Sequence, residues 1–140
     1  MLKKIIMILG LSSSLLLSSQ GLNVFEKAVE KATKENKIII IKATSKYCHY
    51  CKEMDKIVLT DNDIIKALDK DFVSVVVDLS KKNLPLGLKS TMTPTFFFLD
   101  SNKKLIKKVA GAWNKEDFLI ILKEIKLLYI KEQKNQKDAK

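Results

Sequence analysis

The chain has 140 residues, of which 46% are apolar and 30% charged, with four glycines and two prolines. This composition suits one domain with a buried core, and it excludes a collagen-like, low-complexity or multi-span membrane protein. All 26 basic residues are lysine, and they are scattered along the chain against 16 acidic residues, for a formal net charge of +10. Without arginine the chain lacks the forked contacts that read bases and phosphates, so nucleic acid is not an expected partner.

The first twenty residues are typical of a secretory signal peptide. Lys3 and Lys4 precede an uncharged run over residues 5–17, and small residues follow it. A positive start, an apolar stretch of this length and small residues at its end favour export, with cleavage expected after residue 19, 20 or 21. An uncleaved anchor facing the same compartment is the alternative. We therefore predict a periplasmic or otherwise exported protein.

Hydrophobic periodicity predicts the elements that follow. Helical spacing of apolar residues predicts helices at 23–36, after Cys51, at 60–68 with Thr60 or Asp61 as its cap, and from Asn114 to Leu128. Short β-branched or aromatic runs predict buried strands at 38–41, 72–77 and 95–99, and an alternating run predicts an edge strand at 104–110.

This order of elements predicts an α/β domain over residues 21–131, with a mixed central sheet and helices on both of its faces. In the helix after Cys51, we expect Met54, Ile57 and Val58 to share the buried side. Residues 132–140 are polar, and we predict that they form a fraying tail.

The two cysteines, Cys48 and Cys51, form a C-x-x-C motif directly after a predicted buried strand. One chain with this pair and the single His49 lacks the four ligands of a closed zinc site. Haem attachment requires a histidine after the second cysteine, where this chain has Lys52. A structural disulfide across so short a loop stabilises little. A redox dithiol at a helix N-terminus is the interpretation that we favour.

The position of each sulfur in that helix predicts its role. Cys48 lies among unpaired backbone N–H groups at the positive end of the helix, and both stabilise a thiolate. Cys51 lies one turn later and faces inward, where a thiol is harder to ionise. We therefore predict that Cys48 attacks a substrate disulfide and that Cys51 resolves the mixed disulfide.

Four segments of the chain resemble the thioredoxin-fold thiol–disulfide oxidoreductases, over residues 23 to about 130. They read IIIIKATSKYCHYCKEM, FVSVVVD, LGLKSTMTPTFFFLD and KKVAGAWNKEDFLIIL. The pattern is most similar to small exported thioredoxin-like proteins and to the catalytic domains of periplasmic disulfide isomerases. The resemblance implies a three-layer thioredoxin-like fold.

The resemblance also implies a substrate-facing loop before the third strand. Pro94 would be the cis-proline packed against the dithiol, and the alternative is an ordinary trans proline that begins a strand. A cis bond would expose the N–H and C=O of Thr93 to an extended substrate, and the Thr93 hydroxyl would face the site. Tyr47 and Tyr50 would form an apolar rim for substrate around Cys48, or they are surface packing.

Tyr50 and two further residues would tune the dithiol. His49, as an imidazolium, would stabilise the neighbouring thiolate, or it is an exposed histidine of little effect. Lys42 departs from the pattern, because thioredoxins carry a buried aspartate at this position as proton acceptor for the resolving thiol. Lys42 would lower the pKa of Cys51 or act as a base, or it extends to the surface without a redox role.

The expected activity is reduction of protein or small disulfides by an exported monomer that uses neither an organic cofactor nor a metal. An exported reductase needs electrons, so we expect a membrane-embedded thiol donor as partner. The same residues run backwards would make an oxidant, whereas isomerase activity alone is disfavoured because the chain has no room for an added dimerisation domain. A Cu(I) chaperone that binds the metal through both sulfurs is the alternative from another class.

Overall fold

The computed structural model describes residues 23–139, so the predicted signal peptide lies outside the described residues. The helices are α1 (Val24–Glu35), α2 (His49–Glu53), α3 (Asn62–Asp71) and α4 (Lys115–Asp138), and a π-helical segment (Met54–Val58) continues α2. The strands are β1 (Ile38–Thr44), β2 (Phe72–Asp78), β3 (Thr95–Leu99) and β4 (Leu105–Ala110). Within residues 23–139, no helix combines the length and the apolar composition that a bilayer crossing requires.

Polar side chains cap the N-termini of three helices, at the positions that the sequence predicts. Asn23 accepts a hydrogen bond from the Glu26 N–H at 3.0 Å, and Asn114 accepts one from the Asp117 N–H at 2.8 Å. Asp61, one of the two residues predicted for α3, is the cap of that helix. Each cap binds a backbone donor that the first helical turn leaves without a partner.

The sheet has the order β2-β1-β3-β4, with β1 parallel to β2 and antiparallel to β3. This arrangement confirms the predicted mixed α/β fold, since helices cover both faces of the sheet. Two strand predictions need correction. Strand β1 continues to Thr44, beyond the predicted end at Ile41. Strand β2 is an edge strand with Ser74 and Val76 exposed, so it alternates where burial of both faces was expected.

Alternate residues of β1 point to two separate hydrophobic clusters. Ile39, Ile41 and Ala43 pack with α1, on what we call the α1 face of the sheet. Ile38 and Ile40 pack with the π-helical segment, α3 and α4, on what we call the dithiol face. Because side chains alternate along a strand, Lys42 also belongs to the dithiol face.

The π-helical segment changes the predicted burial of one residue. Met54 and Val58 are buried as expected, whereas Ile57 is exposed. The Leu59 N–H bonds to the Met54 carbonyl five residues earlier, at 2.9 Å, and this wider turn aligns residues four apart. Ile57 is therefore rotated out of the buried side.

The C-terminal segment is helical, which corrects the prediction of a fraying tail. Helix α4 runs to Asp138, so residues 132–138 continue the helix. Lysine, glutamine and glutamate are good helix formers, and the segment holds no glycine or proline. Lys104 of the loop before β4 also lies 3.4 Å from Glu132, which joins the first part of this extension to the sheet.

Candidate active site

The C-x-x-C motif follows the end of β1 and lies at the start of a helix. After Thr44 the chain turns through residues 45–47, and the Cys48 N–H donates to the Ser45 carbonyl at 3.2 Å. Cys48 is the N-cap of α2, and its Sγ accepts the Cys51 N–H at 3.1 Å. Cys48 and Cys51 are joined in a disulfide with their Cα atoms 5.2 Å apart.

The two cysteines differ in exposure. Cys48 is 9% exposed and borders the surface, whereas Cys51 is 1% exposed and faces the interior one turn later. The burial of Cys51 limits access by a second molecule, while Cys48 lies at the helix end that stabilises an anion. The predicted roles of Cys48 as attacking sulfur and Cys51 as resolving sulfur depend on this difference in exposure.

The loop before β3 is connected to the dithiol loop. The Thr93–Pro94 peptide bond is cis, and the Thr93 hydroxyl lies 3.2 Å from that of Ser45. On its other side, the Pro94 carbonyl accepts the Gly111 N–H at 2.8 Å. The backbone at Thr93 is therefore fixed next to the segment that leads into Cys48.

Aromatic and charged side chains surround the dithiol at the surface. Tyr47 and Tyr50 are both exposed, and the Lys46 ammonium lies 5.3 Å from the centre of the Tyr47 ring. His49 is exposed, with its Nε2 atom 4.0 Å from a Glu53 carboxylate oxygen. His49 and Glu53 are thus neighbours on the exposed side of α2.

Lys42 is buried on the dithiol face, which corrects the interpretation that it extends to the surface. The residue is 4% exposed, and its ammonium donates a hydrogen bond to the Asp55 carboxylate on the π-helical segment. Asp55 itself is 53% exposed. The pair thus joins a buried cation to a carboxylate that reaches solvent, one helical turn beyond Cys51.

A family comparison decides the classification of this fold and site. The profile of the thioredoxin-like domain matches residues 25–126. The chain belongs to the thioredoxin-like family. Membership together with the C-x-x-C disulfide supports thiol–disulfide oxidoreductase activity.

Individual relatives are more distant than the family profile. Human spermatogenesis-associated protein 20 is 37% identical over 57 residues, which are 41% of this chain and only 7% of that protein. A thioredoxin from Thermus thermophilus is 23% identical with a TM-score of 0.60, over 72% of this chain and 82% of its own. The reduced C-terminal domain of Neisseria meningitidis DsbD is 22% identical with a TM-score of 0.56, over 71% and 92%. These two structures show the shared fold.

Sequence reasoning missed three residues of the candidate site. Ser45 holds the Thr93 loop, Met92 is exposed beside that loop, and Asp55 pairs with Lys42. The spacing of four residues between Cys51 and Asp55 was a usable signal for Asp55, because it puts both on one side of a helix. Within residues 23–139, histidine, cysteine, aspartate and glutamate side chains do not gather in groups of three or more that would hold a metal ion.

Proposed function

We propose that this chain is an exported thiol–disulfide oxidoreductase that reduces disulfides of proteins or small molecules. The observation that carries the proposal is the placement of Cys48 as the cap of α2 with Cys51 buried one turn behind it. This arrangement gives one sulfur access to substrate and keeps the second within bonding distance of the first.

The reaction follows from the two positions. The Cys48 thiolate attacks one sulfur of a substrate disulfide, and the other substrate sulfur leaves as a thiolate. The Cys51 thiol then loses its proton and attacks Cys48, which releases the second substrate thiolate and forms the Cys48–Cys51 disulfide. The substrate gains two electrons, and the dithiol loses two.

The backbone around Cys48 supports the first step. In the oxidised protein the Cys51 N–H already donates to the Cys48 sulfur, and the same donor would stabilise a thiolate there. The helical segment His49–Val58 adds the positive end of its dipole. Both effects favour ionisation of Cys48 over that of Cys51.

The surface beside the dithiol supports an extended protein segment as substrate. Three large side chains are exposed around the disulfide: Tyr47 directly before Cys48, Tyr50 in the first turn of α2, and Met92 on the loop before β3. The backbone of Thr93 provides a place where an extended chain would pair as an added strand. Replacing Met92 with serine should raise KM for a disulfide peptide more than it lowers kcat, whereas an unchanged KM would remove Met92 from the substrate surface.

Export and electron supply complete the proposal. The amino-terminal pattern of residues 1–20 supports export, and an exported reductase requires thiol electrons from a donor in the membrane. Cell fractionation of the full chain tests the location. Recovery of the intact, uncleaved chain in the cytosol would overturn both the location and the membrane donor.

The equilibrium of the dithiol against glutathione decides the direction of the reaction. A reduction potential near −270 mV is the result expected for a reductase, whereas one near −120 mV indicates an oxidant. The same titration with Cu(I) present tests the chaperone alternative. Copper retained by both thiols in preference to redox cycling would replace the proposed activity.

Single cysteine variants test the two roles. Cys48→Ser should abolish reduction of a protein disulfide, and Cys51→Ser should accumulate a covalent adduct with substrate that a thiol reagent releases. Non-reducing gel electrophoresis detects the adduct. Normal turnover by Cys51→Ser would show that the assignment of the two sulfurs is wrong.

A further inference from the structure

We propose that Asp55, held by Lys42, accepts the proton of the Cys51 thiol when Cys51 resolves the mixed disulfide. The inference rests on the proposed function and assigns to these two residues a step that the disulfide geometry leaves open. Cys51 is 1% exposed, so its proton needs an acceptor that reaches into the interior. Asp55 follows Cys51 by one helical turn and pairs with the buried Lys42.

The surroundings of Lys42 show that its charge needs a partner. In the sheet Lys42 lies between Val76 of β2 and Phe96 of β3, neither of which titrates. With Ile40, Leu59 and Leu68, these residues line an apolar cavity of about 50 Å³ beside Lys42. A cation in such surroundings is stable when it is paired with an anion. The Asp55 carboxylate is that anion.

The position of Asp55 connects the interior with solvent. It follows Cys51 by four residues on one helical segment, and residues four apart are neighbours on a helix surface. Its other neighbours at three or four residues are Lys52 before it and Val58 and Leu59 after it. Because half of Asp55 is exposed while its partner Lys42 is buried, the carboxylate can take a proton from inside and give it to water.

The step balances without any further reactant. The S–H bond of Cys51 breaks, and the proton goes to an Asp55 carboxylate oxygen directly or through one water. The Cys51 thiolate attacks the Cys48 sulfur, an S–S bond forms, and the substrate sulfur leaves with the electron pair of the broken bond. Asp55 then releases the proton to solvent or to the departing thiolate.

A purely electrostatic role for the pair predicts the opposite result. If Asp55 acted only through its charge, its removal would leave Lys42 unopposed near Cys51 and would lower the pKa of that thiol. Resolution would then become faster. If Asp55 accepts the proton, its removal makes resolution slower. The sign of the change therefore separates the two roles.

The experiment follows the reduced full chain with excess dithiobis(nitrobenzoate) by stopped-flow absorbance. The first thionitrobenzoate comes from attack by Cys48 and depends on reagent concentration, whereas the second comes from attack by Cys51 and does not. Asp55→Asn should slow the second phase at least about tenfold at pH 7 and make its rate rise steadily with pH, within the range general base catalysis contributes. The first phase should change less than about threefold.

Further variants keep the test decisive. Lys42→Met/Asp55→Asn removes the buried charge together with its partner, so it should fold and show the same slow second phase. Asp55→Glu should restore the second phase, and Asp71→Asn is the matched control, because Asp71 pairs with Lys126 at the opposite end of the sheet. A second phase that is unchanged or faster in the folded asparagine variants overturns the inference alone. Absence of both phases in the unmodified chain would instead overturn the proposed function.

Discussion

The two faces of strand β1 differ in one buried residue, Lys42, which pairs with Asp55 on the segment that continues the dithiol helix. On the α1 face, Ile39, Ile41 and Ala43 belong to a hydrophobic cluster that includes Phe97 of β3. On the dithiol face, Ile38 and Ile40 belong to a second hydrophobic cluster, but the next position is Lys42. The same strand thus carries a purely hydrophobic face and one that contains a buried ion pair.

The difference shows where this fold accepts an energetic cost. Burying a charged pair is often less stabilising than apolar residues of the same volume would be, because both ions lose their hydration. On the α1 face, strand β1 places only apolar residues in the core. On the face that carries Cys51, the Lys42–Asp55 pair takes the place of an apolar residue.

The largest expected effect is the loss of stability when a buried ring is removed from either face of the sheet. It tests whether the two faces contribute equally to the free energy of unfolding. Phe97→Ala on the α1 face and Phe98→Ala on the dithiol face should each lower the free energy of unfolding by about 3–5 kcal/mol, because each removes a fully buried ring. Urea denaturation of the oxidised protein measures both. A loss below about 1 kcal/mol for either ring would show that its face contributes little to the core, and Tyr47→Ala is the exposed control.

The ion pair should respond differently from the rings. Asp55→Ala leaves Lys42 buried without a counter-charge and should cost about 2 kcal/mol, less than the roughly 3–5 kcal/mol of a fully buried pair because Asp55 is half exposed. Lys42→Met/Asp55→Ala should recover most of that loss, since no unpaired charge is left. A double variant less stable than Asp55→Ala would mean that the pair itself stabilises the dithiol face.

The helix caps provide a matched comparison of the two faces at smaller cost. Asn23→Ala removes the cap of α1 on one face, and Asn114→Ala removes the cap of α4 on the other. Each should lower the free energy of unfolding by about 1 kcal/mol, because each leaves one backbone N–H unpaired. Thermal unfolding measures the stability of both variants. Unequal losses would show that one helix depends on its cap more than its hydrophobic face implies.

The smallest expected effect is on the loss of stability at low pH, through the Asp61 cap of α3 on the dithiol face. Hydrogen bonding from Lys115 lowers the pKa of Asp61, which also caps α3. A carboxyl with a lowered pKa stabilises the fold at neutral pH, and that contribution is lost as the pH falls through its value in the folded protein. Asp61→Asn should therefore lose less stability than the parent chain between pH 7 and pH 2. Equal losses in the two proteins would remove this pair from the acid response.

Much of the fold was predictable because its signals are local. The run from Ile38 to Ile41 needs burial on both sides, and a C-x-x-C motif after such a strand indicates a dithiol at a helix N-terminus. Family resemblance then indicated the loop at Pro94. The mixed sheet, the caps at Asn23 and Asn114 and the placement of Cys48 and Cys51 all agree with these signals.

The remaining features depend on how elements pack. Whether Lys42 extends to water or pairs with Asp55 depends on the rotation of the helix above β1, which a single strand does not encode. The exposure of Ile57 follows from a change of helical pitch at Met54, and regular periodicity hides it. The length of β1 and the edge position of β2 likewise follow from their neighbours in the sheet.

The single tryptophan of the chain gives the molecule a built-in optical reporter. The Trp113 backbone N–H donates to the Met54 sulfur at 3.3 Å, and both residues line a cleft of about 300 Å³ with Ile57. Met54 follows Cys51 by three residues, so a shift of this helix on reduction moves the neighbourhood of the indole. All tryptophan emission comes from that one place, so we expect its intensity to change when the dithiol is reduced, without any attached dye.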